Sequence, residues 1–117
     1  MDLVIRTETT YRLEPAAYGT GASVTARELC LNVLGCSDNL VEGEVNARIL
    51  QQAPEVEEIV KSGKRLCFPE RRGGFLIVWV LRWFNGRVYL ARRSNEIDRY
   101  DENDLLVYYP ETSAPSS

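Results

Sequence analysis

Residues 75–93 read Phe75-Leu76-Ile77-Val78-Trp79-Val80-Leu81-Arg82-Trp83-Phe84-Asn85-Gly86-Arg87-Val88-Tyr89-Leu90-Ala91-Arg92-Arg93. Two runs rich in β-branched and aromatic residues flank Asn85-Gly86, the strongest short signal for a two-residue hairpin turn. With those two residues at the turn, Phe84 faces Arg87, Arg82 faces Tyr89, Val80 faces Ala91 and Val78 faces Arg93. On the opposite side Trp83 meets Val88, Leu81 meets Leu90 and Trp79 meets Arg92. Side chains alternate along a strand, so Phe75, Ile77, Trp79, Leu81, Trp83, Val88 and Leu90 share one apolar face, which is the predicted core. The other face carries Arg82, Phe84, Arg87, Tyr89 and Arg93, with Leu76, Val78 and Val80 deeper down. Strand 75–84 is thus apolar on both sides near its start, and its outer side needs cover from a helix or from a second subunit in a homodimer.

Working outward, residues 3–13 alternate: Leu3, Ile5, Thr7, Thr9, Tyr11 and Leu13 point one way, Val4, Arg6, Glu8, Thr10 and Arg12 the other. The pattern predicts one half-buried strand, ended at Pro15. The stretch from Tyr18 to Ser23 reads as a loop. Thr25 with Glu28 has the spacing of a capping box, and Ala26, Leu29, Cys30, Val33 and Leu34 make a helical stripe stopped by Gly35. Residues 40–53 fit either period, with good helix formers favouring a helix from about Gly43. Pro54 opens a helix running to Ser62, with Gly63 beyond it. A last strand covers Leu105 to Tyr109. The expected fold is α+β: about four mostly antiparallel strands around the 75–93 hairpin, with two or three helices packed on one face. Residues 1–110 read as a single domain and 111–117 as a disordered tail.

Composition narrows the function. The chain has 117 residues, enough for a core without disulfides or metal. Its three cysteines, Cys30, Cys36 and Cys67, fit no paired spacing, and the reading is free thiols in a reducing, cytoplasmic compartment. Met1 to Arg6 lacks the basic start and apolar run of a signal peptide, and the apolar stretch Phe75–Leu81 is too short to span a bilayer. Histidine is absent altogether, which removes the commonest general base and metal ligand.

Candidate chemistry is correspondingly thin. Gly19-Thr20-Gly21 lacks the lysine of a phosphate-binding loop and the third glycine of a dinucleotide fingerprint. The acidic turn Asp98, Asp101, Glu102, Asp104 lacks the ligand order of a calcium loop. Cys67, between Leu66 and Phe68, reads as a buried structural thiol despite nearby Lys64 and Arg65. No catalytic residue, cofactor or metal is therefore expected.

The charge is uneven. Net charge is −3, yet residues 61–100 hold ten basic side chains against three acidic, and the remainder four against fourteen. Arg82, Phe84, Arg87, Tyr89 and Arg93 on one hairpin face, approached by Arg71 and Arg72, form the candidate contact surface. Arginine beside exposed aromatics suits protein interfaces and equally nucleic acid, where guanidinium binds phosphate and rings stack on bases. An acidic chain with separated poles favours the first. The expected function is a small non-catalytic binding protein, a regulator, inhibitor or adaptor working through protein–protein contact. The alternative is nucleic-acid binding on the hairpin face.

Ala53-Pro54 followed by Val60-Lys61-Ser62-Gly63-Lys64-Arg65-Leu66-Cys67-Phe68-Pro69 resembles the closing half of a LysM module, and Leu29-Cys30 through Leu34-Gly35 is similar to its first helix. That resemblance implies a third function, binding of N-acetylglucosamine polymers.

Overall fold

The computed structural model describes residues 2–5, 9–35 and 39–110. Its elements are β1 (Asp2–Ile5), β2 (Thr9–Pro15), β3 (Ser23–Thr25), α1 (Ala26–Val33), α2 (Gly43–Gln51), α3 (Pro54–Lys61), β4 (Arg65–Arg72), β5 (Phe75–Phe84), β6 (Arg87–Arg93), β7 (Arg99–Asp101) and β8 (Asp104–Tyr108). Six strands form one sheet in the order β1-β2-β8-β4-β5-β6, while β3 and β7 form a separate two-stranded sheet. All neighbours in the large sheet run antiparallel except β4 and β8.

The α+β class holds, with more strands than the sequence pattern predicts. Residues 3–13 supply two strands, with Leu3 opposite Tyr11 and Ile5 opposite Thr9. Both strands keep the same inward parity, so alternation alone does not reveal the reversal between them. β4 is a full central strand of eight residues instead of a short one around Cys67.

The hairpin has the predicted register throughout, from Phe84 opposite Arg87 to Val78 opposite Arg93. Asn85 at φ 55° and Gly86 at φ 78° take the left-handed backbone of a type I′ turn. Both helix starts predicted from capping chemistry are also present. Thr25 and Glu28 exchange the two capping-box hydrogen bonds at 3.1 and 2.8 Å, and Pro54 is the first residue of α3.

The larger difference is where the helices lie. One sheet face, with Leu3, Leu13, Leu66, Phe68, Ile77, Leu81 and Val107, packs against Ala47 and Leu50 of α2 and Val56 and Val60 of α3. The opposite face, with Cys67, Val78, Val80 and Leu106, packs against Ala26, Leu29 and Cys30 of α1 and against Tyr100 of β7. Helices therefore cover both faces, not one. Burying a valine side chain is worth roughly 1.5–2 kcal/mol, and Val78 and Val80 are each only 1% exposed. Their cover comes from the chain's own α1, whereas Phe75, expected in the core, is 74% exposed. Helices α1 and α3, one from each of the two segments that resemble a LysM module, pack on opposite faces of the sheet. Cys36 and residues 111–117 lie outside the described residues.

Candidate functional site

The hairpin face divides into an outer end and an inner end. At the outer end Phe84 and Tyr89 are 48% and 36% exposed, with ring centroids 5.5 Å apart and planes inclined at 55°. The Arg82 guanidinium lies 5.1 Å from the Phe84 centroid and 6.0 Å from that of Tyr89. Arg87 adds a second cation 6.0 Å from the Tyr89 ring. These four residues come together because the two-residue turn sets Phe84 against Arg87 and Arg82 against Tyr89 on one side of the pleat. Each guanidinium over a ring contributes about 0.5–1 kcal/mol at an exposed site. The four side chains therefore hold one another in place before any partner arrives.

At the inner end Arg93 pairs with Asp98 at 3.6 Å. A small pocket opens here where β7 lies over the sheet. Its volume is about 120 Å³, and Arg65, Arg82, Arg93, Arg99, Tyr100 and Asp104 line it together with Val80. Asp104, 3% exposed, accepts from the Arg65 Nε–H and from the Asp101 backbone N–H. Asp101 in turn accepts from Asn103 N–H at 2.8 Å. The acidic turn is thus tied up in local hydrogen bonds and in Arg65, and its pairing with the hairpin arginines is limited to Arg93 with Asp98. Two residues that line this pocket each carry a buried donor with no hydrogen-bond partner among the described residues, Arg82 at Nε and Tyr100 at its hydroxyl. Leaving a buried polar group unpaired costs about 1–3 kcal/mol. Burial also pushes the Tyr100 hydroxyl well above its usual titration range, which keeps it protonated and a donor.

A second basic pocket of about 260 Å³ adjoins the first, sharing Arg65 and Arg82 and adding Lys61, Lys64 and Trp83. Lys61 Nζ sits 5.1 Å from the Trp83 ring and pairs with Glu57 at 3.0 Å. The spacing of charges hints at none of this assembly. Tyr100 and Arg99 are brought in by the crossing of β7, which no local pattern announces.

Arg71 and Arg72 do not join the surface. They close β4 opposite Leu76 and Phe75, at the far end of β5 from the Asn85-Gly86 turn, roughly 30 Å away at strand rise. Arg72 is committed to Glu70 at 2.8 Å and Glu44 at 3.4 Å.

Another concavity lies elsewhere. About 410 Å³ in volume, it opens between β2, β8 and α1, lined by Arg12, Glu14, Tyr18, Asn32 and Tyr108 among others. Its polar groups satisfy each other: Tyr18 Oη and Arg12 Nε donate to Glu14 at 2.7 and 2.8 Å, and Arg12 lies over Tyr108 at 4.7 Å. The hydrogen bond from Tyr18, with help from Arg12, holds the Glu14 carboxyl below its usual range. Glu14 is therefore ionised and engaged, with no feature of a general acid or base.

Both described cysteines are buried. Burial pushes the Cys30 thiol up to about 11 and raises that of Cys67, which is 0% exposed, further above its ordinary value. Neither is a reactive thiolate. Among the described residues, no group of three or more Cys, Asp or Glu side chains is placed to hold a metal ion, and no helix is long and apolar enough to cross a membrane. Comparison with protein-family models, with curated proteins and with solved structures gives no match.

Proposed function

We propose that this chain is a non-catalytic binding domain that engages another protein through the outer end of the hairpin face: Arg82, Phe84, Arg87 and Tyr89. The observation that carries the reading is the mutual arrangement of those four side chains. Preorganised Arg and aromatic side chains are the residues on which interface energy concentrates, because little side-chain entropy remains to be lost on docking. The same arrangement disfavours base stacking, since Arg82 already lies over Phe84 and Tyr89. The cations suit a partner with acidic side chains, and the acidic remainder of the chain would steer the orientation of approach.

One observation favours nucleic acid as a second reading. The two adjoining basic pockets join Lys61, Lys64, Arg65, Arg93 and Arg99 through the shared Arg82, a strip on which a phosphate backbone could run. Fluorescence anisotropy against short single-stranded and duplex oligonucleotides, at low and near-physiological salt, separates the two. The protein-partner reading predicts no binding at near-physiological salt. Binding that weakens steeply with salt and disappears in an Arg82→Ala/Arg87→Ala/Arg93→Ala variant would replace it with the nucleic-acid reading.

A further inference from the structure

The pocket at the inner end of the hairpin face has the chemistry of an anion site, which goes beyond the partner surface and shares only Arg82 with it. Four guanidinium groups line it against one carboxylate, Asp104. Arg65 is taken by Asp104 and Asp101, and Arg93 by Asp98. Among the described residues Arg99 donates to Ser23, at 2.8 Å to the side chain and 3.4 Å to the backbone carbonyl, and its charge also acts on Glu28. Arg82 has aromatic rings for neighbours and forms no ion pair among the described residues. Neither Arg82 nor Arg99 forms an ion pair among the described residues, so two positive charges without one line a single small cavity.

The second observation is independent of charge. Tyr100 is 3% exposed, and its hydroxyl, like Arg82 Nε, is a buried donor lacking an acceptor among the described residues. Native interiors rarely leave such donors unpaired, and where they do an unseen ion or water is a standard cause. A tyrosine hydroxyl hydrogen can rotate and an arginine offers five N–H donors in a planar fork, so a single acceptor can take hydrogen bonds from both side chains. Size then narrows the ligand. A cavity near 150 Å³ accommodates about one benzene-sized molecule, whereas drug-sized ligands need roughly 300 Å³ or more. At about 120 Å³ the pocket suits a single ion of a few heavy atoms. Two unpaired guanidinium groups with an added hydroxyl donor match a divalent tetrahedral oxyanion better than a singly charged carboxylate.

We propose that this pocket binds one phosphate group, held by Arg82 and Arg99 with Tyr100 as the buried hydroxyl donor. The test is an NMR titration of the full-length, nitrogen-15-labelled protein, following the arginine Nε–H signals as inorganic phosphate is added at constant ionic strength. Sodium acetate and sodium chloride serve as comparison arms. The expected result is a saturable shift of the Arg82 and Arg99 signals with phosphate alone, while Arg87 stays unmoved. Tyr100→Phe removes only a hydroxyl, and should weaken phosphate binding about tenfold, the effect of one charge-assisted hydrogen bond. Arg99→Gln should weaken it at least as much. Arg87→Ala should leave phosphate binding intact while impairing the partner surface, so failure of one proposal is distinguishable from failure of the other. Methyl phosphate in a parallel arm tells the source of the group: equal affinity points to a phosphate carried as an ester, weaker affinity to the free ion. Three results would overturn the proposal. They are an absence of saturation, equal binding of acetate, and shifts of all arginines that track ionic strength alone.

Discussion

Glu70 shows how much one side chain can organise. Its carboxylate accepts from the Glu44 backbone N–H at 3.1 Å, from Trp79 Nε1 at 2.8 Å and from Arg72 Nε at 2.8 Å. Helix α2 has no side-chain cap of its own, so this carboxylate from β4 caps it across the fold, where the helix dipole favours negative charge. Burial works to raise the Glu70 carboxyl, but the three donors outweigh it and hold the group below its ordinary value. A carboxyl lowered in the folded state contributes stability above its unfolded value, near about 4.3, and loses it as pH falls through the lower folded value. Glu70→Gln should therefore cost roughly 1–2 kcal/mol at pH 7, the scale of a lost cap. The gap should narrow as pH falls below about 4, as read from urea unfolding at both conditions. The thiols give a second residue-scale test. In a Cys36→Ser variant, a thiol-specific reagent at neutral pH should label neither Cys30 nor Cys67 until denaturant is added; rapid native labelling would contradict their burial. The inertness of Cys67 is legible in its apolar neighbours Leu66 and Phe68. The Glu70 cap is not, because its acceptor and donor stand 26 positions apart.

At the scale of elements, local chemistry predicts most where it closes on itself. The hairpin register follows from Asn85-Gly86 alone, and the starts of α1 and α3 follow from Thr25/Glu28 and Pro54. The same locality explains the failures. Residues 3–13 hide a reversal because both strands present the same parity to the core, and β7 is too short to carry a period of its own. Gly86 permits a direct test of the turn. A Cβ added there meets nothing within 4 Å, while φ is +78°, so Gly86→Ala isolates backbone strain from steric clash. Left-handed backbone costs a residue with a Cβ about 1–2 kcal/mol, and that loss is expected in thermal unfolding of the variant. An unchanged midpoint would mean that the turn is not type I′. Since this turn fixes Phe84 against Arg87 and Arg82 against Tyr89, partner binding should weaken in the same variant more than the stability loss accounts for.

Across the whole molecule, the sheet is a partition covered on both faces. Helices α2 and α3 close one face; α1 and β7 close the apolar part of the other. What remains open on the second face near the turn is the Arg and aromatic end of the hairpin. The apolar pattern of β5 foretells that its outer side needs cover. It cannot foretell that α1, placed early in the chain, provides that cover, because nothing local links Leu29 and Cys30 to Val78 and Val80. The pocket beneath β7 has the same origin, arising only when Tyr100 is laid over the sheet. This exposed end is the proposed docking site of another protein. The most direct measurement places a photo-crosslinking amino acid at Phe84 in the cell, with Arg71 of β4, beside the far end of β5, as the comparison position. The expected result is a discrete protein adduct from position 84 that survives nuclease, fades in the Arg82→Ala/Arg87→Ala background and is absent from position 71. Adducts that vanish with nuclease, or that form equally at both positions, would contradict it.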